Sequence, residues 1–199
     1  MIRFENIESP MADLYSVKYI LSFKKLENPK LKEIGQEGTT RLYYNNKALE
    51  KAYLTKSSID ATSNEESLKN LIRSNPQEFK VTTTTGLGKS LNEALEEGEG
   101  VKIKSYKPGH VALDLSTKSE ALVVLTDNYY PGWNVYINGE KKGLIKTNYA
   151  QMGVLAPGGK NTIDFKFEPK SARVGQIISL ISLWLLVPIL LILWRKKLK

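Results

Sequence analysis

The sequence predicts a mainly β protein: a β-sandwich, preceded by a small α+β segment and followed by one C-terminal transmembrane helix. Three observations carry this expectation. From Val101 onward, short runs of alternating polarity recur every 8–12 residues or so between turn signals, the spacing of a sandwich. Before residue 86, short strand-like runs surround a single capped helical pattern. Val174 to Trp194 runs for twenty-one residues without a charge. The boundaries that follow are 1–85 for the α+β segment, 86–100 for a Gly- and Glu-rich linker, 101–169 for the sandwich, 174–194 for the helix and 195–199 for a basic tail.

In order along the chain, Leu14 to Phe23 reads as an apolar strand that Asn28-Pro29 breaks. Arg41–Tyr44 and Ala52–Leu54 read as two short strands around Asn45-Asn46. Ser63-Asn64-Glu65-Glu66 is a capping-box signature, so a helix begins there and runs through Leu68, Leu71 and Ile72 to about Ser74. Phe79–Thr85 is β-branched and reads as a strand. Val101/Ile103/Ser105 and Val111/Leu113/Leu115 alternate on either side of Pro108-Gly109. Ala121–Thr126 is continuously apolar, fit for a strand covered on both faces. Trp133/Val135/Ile137 leads into Asn138-Gly139, a two-residue hairpin signal, with a return strand near Leu144–Thr147 and another near Gln151–Leu155. Pro157-Gly158-Gly159 turns the chain into Ile163/Phe165/Phe167, and Pro169 ends the sandwich.

The uncharged run is as long as bilayer hydrocarbon is thick, roughly 30 Å of helix. Trp184 lies within it, and Trp194, Arg195, Lys196, Lys197 and Lys199 read as an interfacial anchor on a bilayer with anionic headgroups. Of the formal net charge of +8, the four basic residues after Trp194 account for half, leaving +4 on residues 1–173. Those lysines are scattered, and no nucleic-acid motif accompanies them, so nucleic acid is not an expected partner. The absence of Cys and the single His exclude disulfides, thiol catalysis and multi-His zinc sites. No metal or cofactor is expected.

Catalytic patterns fare poorly. Gly86-Leu87-Gly88-Lys89-Ser90 resembles the end of a phosphate loop, but Thr83 stands where the first glycine is needed. His110 would need an orienting carboxylate such as Asp114, and Asp127, Asp164 and Glu168 would have to converge to work as an acid–base pair. No catalytic residue is expected. The densest aromatic cluster is Tyr129-Tyr130-Pro131-Gly132-Trp133. Aromatic faces stack on the apolar C–H faces of sugars, which makes Tyr129, Tyr130 and Trp133 candidate carbohydrate-binding residues; the competing reading puts Trp133 in the core with Val135 and Ile137.

The stretch Leu122–Trp133, the Asn138-Gly139 hairpin, Ala156–Lys160 and Phe165–Pro169 together resemble the C-terminal end of the bacterial YfhO family. Upstream, Asp13–Tyr19 resembles that family's "DLLGVKY" stretch, and Tyr43–Leu54 its "YENKNALPRAYL" stretch. The resemblance implies a multi-pass bacterial membrane protein of GT-C glycosyltransferase type that decorates cell-envelope polymers. This chain would then be its non-catalytic extracytoplasmic β-sandwich and membrane anchor, partnered by the catalytic membrane domain and an envelope glycan, with its C-terminus in the cytoplasm. The family hairpin reads Asp-Gly where this chain has Asn138-Gly139, a neutral exchange for a type I′ turn. The N-terminus lacks the features of a signal peptide, and no earlier hydrophobic helix is present, so the expectation is a fragment or split product. Two other readings stay open: a stand-alone membrane-tethered carbohydrate- or polymer-binding module, and a structural tail-anchored protein.

Overall fold

Two β-sheets face each other across one apolar core, and a third, three-stranded sheet is attached at one end. The computed structural model describes residues 11–73 and 82–197, with the side chains of Ile72, Arg173 and 187–197 outside the description. The chain starts with a turn of helix, α1 (Met11–Leu14), followed by β1 (Tyr19–Ser22), β2 (Leu31–Glu37) and β3 (Thr40–Asn45). These three strands form the small antiparallel sheet in the order β1-β3-β2. Next come β4 (Ala52–Thr55), β5 (Ser57–Ala61), α2 (Asn64–Arg73), β6 (Thr82–Thr85) and β7 (Leu91–Asn92). The remaining strands are β8 (Gly100–Lys107), β9 (His110–Thr117), β10 (Ala121–Asn128), β11 (Trp133–Ile137), β12 (Glu140–Lys142), β13 (Ile145–Thr147), β14 (Gln151–Ala156) and β15 (Gly159–Phe167), before α3 (Lys170–Lys197).

The five-stranded sheet β12-β11-β15-β9-β8 is antiparallel and packs on the seven-stranded sheet β4-β10-β14-β13-β6-β5-β7. Alternation sets the core. Val111, Leu113 and Leu115 of β9, Val135 and Ile137 of β11, and Ile163 and Phe165 of β15 face Ala121, Val123, Leu125, Met152, Val154 and Ala156. Each fully buried large side chain contributes roughly 1.5–3 kcal/mol. Ala52 and Leu54 join this core because β4 pairs with the β10 stretch Leu122–Leu125. The sandwich therefore draws strands from both sides of residue 100.

As its unbroken apolar run predicts, β10 is covered on both faces, with Ala121 to Leu125 all 0% exposed. The second cover comes from curling. Three strands separate β4 from β6 in the sheet, yet the Tyr53 hydroxyl lies 3.4 Å from Thr82 Oγ1 and accepts from Asn148 Nδ2 at 2.6 Å. A flat sheet would hold those strands roughly 19 Å apart. Gly153 of β14 lies between those strands and has no room for a side chain, for a Cβ there would stand 2.6 Å from Thr147 Cγ2 and 3.1 Å from the Val123 carbonyl oxygen.

The capping box forms in a modified way. Glu66 N–H donates to Ser63 Oγ, but the Glu66 carboxylate reaches back to the N–H and hydroxyl of Thr62 rather than to Ser63. The helix links β5 to β6, which pair in parallel, as a βαβ crossover demands. At the Asn138-Gly139 turn both residues have positive φ, +51° and +83°, as a type I′ hairpin needs. Its return strand is β12; the Leu144–Thr147 run instead crosses to the other sheet as β13, because Thr147 pairs with Gln151 and Thr84.

The expected transmembrane helix requires correction. Among the described residues, no helix is long and apolar enough to cross a membrane. Side chains of α3 are described only to Leu186, and Val174 to Leu186 makes about 20 Å of helix against roughly 30 Å of hydrocarbon. A single-pass topology is accordingly not supported. Trp184 is 82% exposed, whereas the side chains of Trp194, Arg195, Lys196, Lys197 and Lys199, expected as the anchor, lie outside the described residues.

Candidate functional site

The aromatic turn 129–132 sits at the end of the sandwich from which α3 leaves. Backbone bonds fix it: Tyr129 N–H donates to the Ala150 carbonyl at 2.7 Å, and Glu168 N–H to the Gly132 carbonyl at 2.7 Å. Gly132 is needed there, with φ +109° and room for a Cβ only at 3.0 Å from Phe167 Cε2 and 3.1 Å from Pro169 Cβ. Alternation along β11 points Trp133 to the inner face, where it is half-buried against the core. Its ring lies 5.5 Å from that of Phe167, which also meets Tyr130 at 6.3 Å. Tyr130 remains 63% exposed and Tyr129 39%. The structure thus brings Tyr130 and Trp133 together through Phe167, a residue that strand periodicity flags as apolar but not as part of a site.

Beside these rings opens a cleft of about 550 Å³ whose walls include Trp133, Asn134, Tyr136, Lys141, Glu168 and Lys170. Asn134, Tyr136 and Glu168 occupy the outer face of the five-stranded sheet, opposite the core positions on β11 and just beyond β15. Glu168 Oε2 accepts the Tyr136 hydroxyl at 2.7 Å and Asn134 Nδ2 at 2.9 Å, while Lys166 Nζ stands 5.2 Å from the centre of the Tyr136 ring. An apolar ring edge thus borders a carboxylate, an amide and ammonium groups. A second cleft of about 620 Å³ lies at the far end of the same sheet, beside Lys102, Asp114, Ser116, Asn138, Lys160 and Thr162.

The carboxylates do not converge. His110 Nε2 meets Asp164 Oδ1 at 2.6 Å, not Asp114, which lies 3.8 Å from Lys104. Asp164 and Glu168 are four strand residues apart, about 13 Å. Asp127 pairs with Lys51 at 2.6 Å and accepts the Tyr106 hydroxyl at 3.0 Å; burial first, and then the Asp127 charge, push the Tyr106 phenol up to about 12. The phosphate-loop-like stretch is occupied from within, since Leu87 and Gly88 N–H both donate to the Asp60 carboxylate. Among the described residues, no His, Cys, Asp and Glu cluster could hold a metal ion.

Residues 69–179, more than half of the chain, match the family model described as "Bacterial membrane protein YfhO". The chain belongs to the YfhO family. A relative from Bacillus subtilis (strain 168), called "Uncharacterized protein YfhO", is 29% identical over 83 residues, which are 42% of this chain and 10% of the relative. The matched stretch thus spans about a tenth of that YfhO relative's length. No solved structure matches the chain. The family match covers the end of α2, both clefts and the start of α3, so the YfhO description applies to the part that carries the aromatic turn.

Proposed function

We propose that this chain is a non-catalytic, extracytoplasmic β-sandwich of a YfhO-like cell-envelope glycosyltransferase, and that its cleft beside Tyr130 and Glu168 holds sugar units of a glycan acceptor. The observation that carries the reading is a fixed polar set in a cleft whose wall at Pro131 adjoins the exposed Tyr130 in the chain. Tyr130 offers a flat apolar face to sugar C–H groups, and Glu168, Asn134 and Tyr136 offer acceptors and donors to hydroxyls. A non-catalytic role accords with the roughly 13 Å between Asp164 and Glu168 along the strand and with the pairing of Asp127 to Lys51. The reactive groups would belong to the membrane domain of the same protein, consistent with a matched relative about ten times longer than the matched stretch.

The test is titration of the folded chain with bacterial envelope polysaccharides, followed by calorimetry or NMR shifts. Tyr130→Ala and Glu168→Gln should each weaken binding about tenfold, near 1.4 kcal/mol, without changing the thermal melt. Unchanged affinity in both variants, with the fold intact, would end the acceptor reading.

A further inference from the structure

The small sheet has one face buried and one bare. On its inner face Tyr43 is 1% exposed, and its hydroxyl accepts the Leu26 N–H. On its outer face Tyr19 is 63% and Leu21 71% exposed, pairing across the strands with Tyr44 and Leu42, and just past the end of β1 Phe23 is 79% exposed. So contiguous an apolar face on a surface needs a partner. Lys24, Lys25 and Lys32 adjoin it, and neither Lys24 nor Lys32 has an ion pair among the described residues.

Position adds a second, independent observation. The chain enters β4 from the small sheet at Ala52, whose partner Leu125 lies near the end of β10, and Gln151 Nε2 donates to the Leu14 carbonyl at 2.8 Å. These contacts place the small sheet at the pole where β15 ends and α3 begins. The same pole presents Tyr106, Tyr129, Tyr130, Tyr149 and Phe167, each exposed by more than a third. The opposite pole, built from the 118–120 and 138–139 turns and 157–160, is charged and glycine-rich, with Leu95 the large exposed apolar residue described nearby.

We infer that the outer face of the three-stranded sheet is a membrane-contact surface, seated on the headgroup layer of an anionic bilayer through Tyr19, Leu21 and Phe23. Tyrosine sits well where one end is apolar and the other wet, and Leu21 and Phe23 add purely apolar contact. Lys24, Lys25 and Lys32 complement anionic headgroups, whereas a second copy of the same face would bring lysines against lysines. The inference rests on this surface and on membership of a membrane-protein family, not on the glycan reading.

The chain has no cysteine, so single substitutions can carry a polarity-sensitive dye. Leu21→Cys reports on the sheet and Lys160→Cys on the opposite pole, each in the full chain bound to phosphatidylglycerol vesicles. The Leu21 dye should shift to shorter wavelength and be quenched by lipid-borne nitroxide; the Lys160 dye should do neither. Lys24→Gln and Lys25→Gln should each weaken partitioning about fivefold, with less effect on phosphatidylcholine vesicles. A Leu21 dye that stays water-exposed on vesicle-bound chain overturns the inference. So does a shift that appears without lipid and grows with protein concentration, which would identify a second copy as the occupant.

Discussion

Glu99 ties three parts of the chain together. Its carboxylate accepts the N–H groups of Glu96 and Lys118, the Thr117 hydroxyl and the Lys56 ammonium, the last at 2.8 Å with both side chains almost fully buried. The Glu96 N–H first, and Lys56 next, hold the Glu99 carboxyl down at about 2 against an ordinary 4.5. A value lowered on folding contributes stability that is present above 4.5 and lost as the pH falls towards 2. Glu99→Gln should therefore flatten the acid side of the stability profile. It should also lower stability at neutral pH, because Lys56 stays buried without its counter-charge; denaturant midpoints across that window check both effects. The aromatic turn separates two roles. Trp133→Ala should cost about 3 kcal/mol, low in the usual range because the ring is half-buried, whereas Tyr130→Ala should leave the melt within about 0.5 kcal/mol. A Trp133→Ala melt equal to the parent's would remove Trp133 from the core.

At the scale of single elements, local signals worked where local physics decides. The Ser63 cap, the Asn138-Gly139 turn and the alternation of β9, β11 and β15 all formed where spacing and turn chemistry required them. Ser63→Ala should cost about 1 kcal/mol, because an N–H at the start of α2 loses its acceptor. Gly153→Val should cost about 1–3 kcal/mol or more by overpacking Thr147 and the Val123 carbonyl; a stability equal to the parent's would mean that the sheet relaxes there. Leu144–Thr147 misled as a return strand because nothing local tells which sheet a three-residue strand will join. Its partners, Thr84 and Gln151, lie far along the chain or beyond a turn.

For the molecule as a whole, the consequence is interdependence. Residues 101–169 alone would lose β4 from the edge of β10, together with Tyr53, Lys56 and the Gln151–Leu14 bond. A chain trimmed to that range should lose its near-UV circular dichroism and melt without cooperativity; a sharp melt would show a self-sufficient sandwich. The β-rich class, most strand positions, the double burial of β10 and the YfhO resemblance were all legible in the residues, because period, turn chemistry and motif are local properties. Tertiary contacts alone decided that β4 completes the sandwich, that Asp164 rather than Asp114 meets His110, and that Phe167 joins Tyr130 to Trp133. They also decided that Asp60 fills the phosphate-loop-like turn. Each of those pairings joins residues tens of positions apart, and the pairing of strands and turns in the folded sheets, not spacing along the chain, sets their distances.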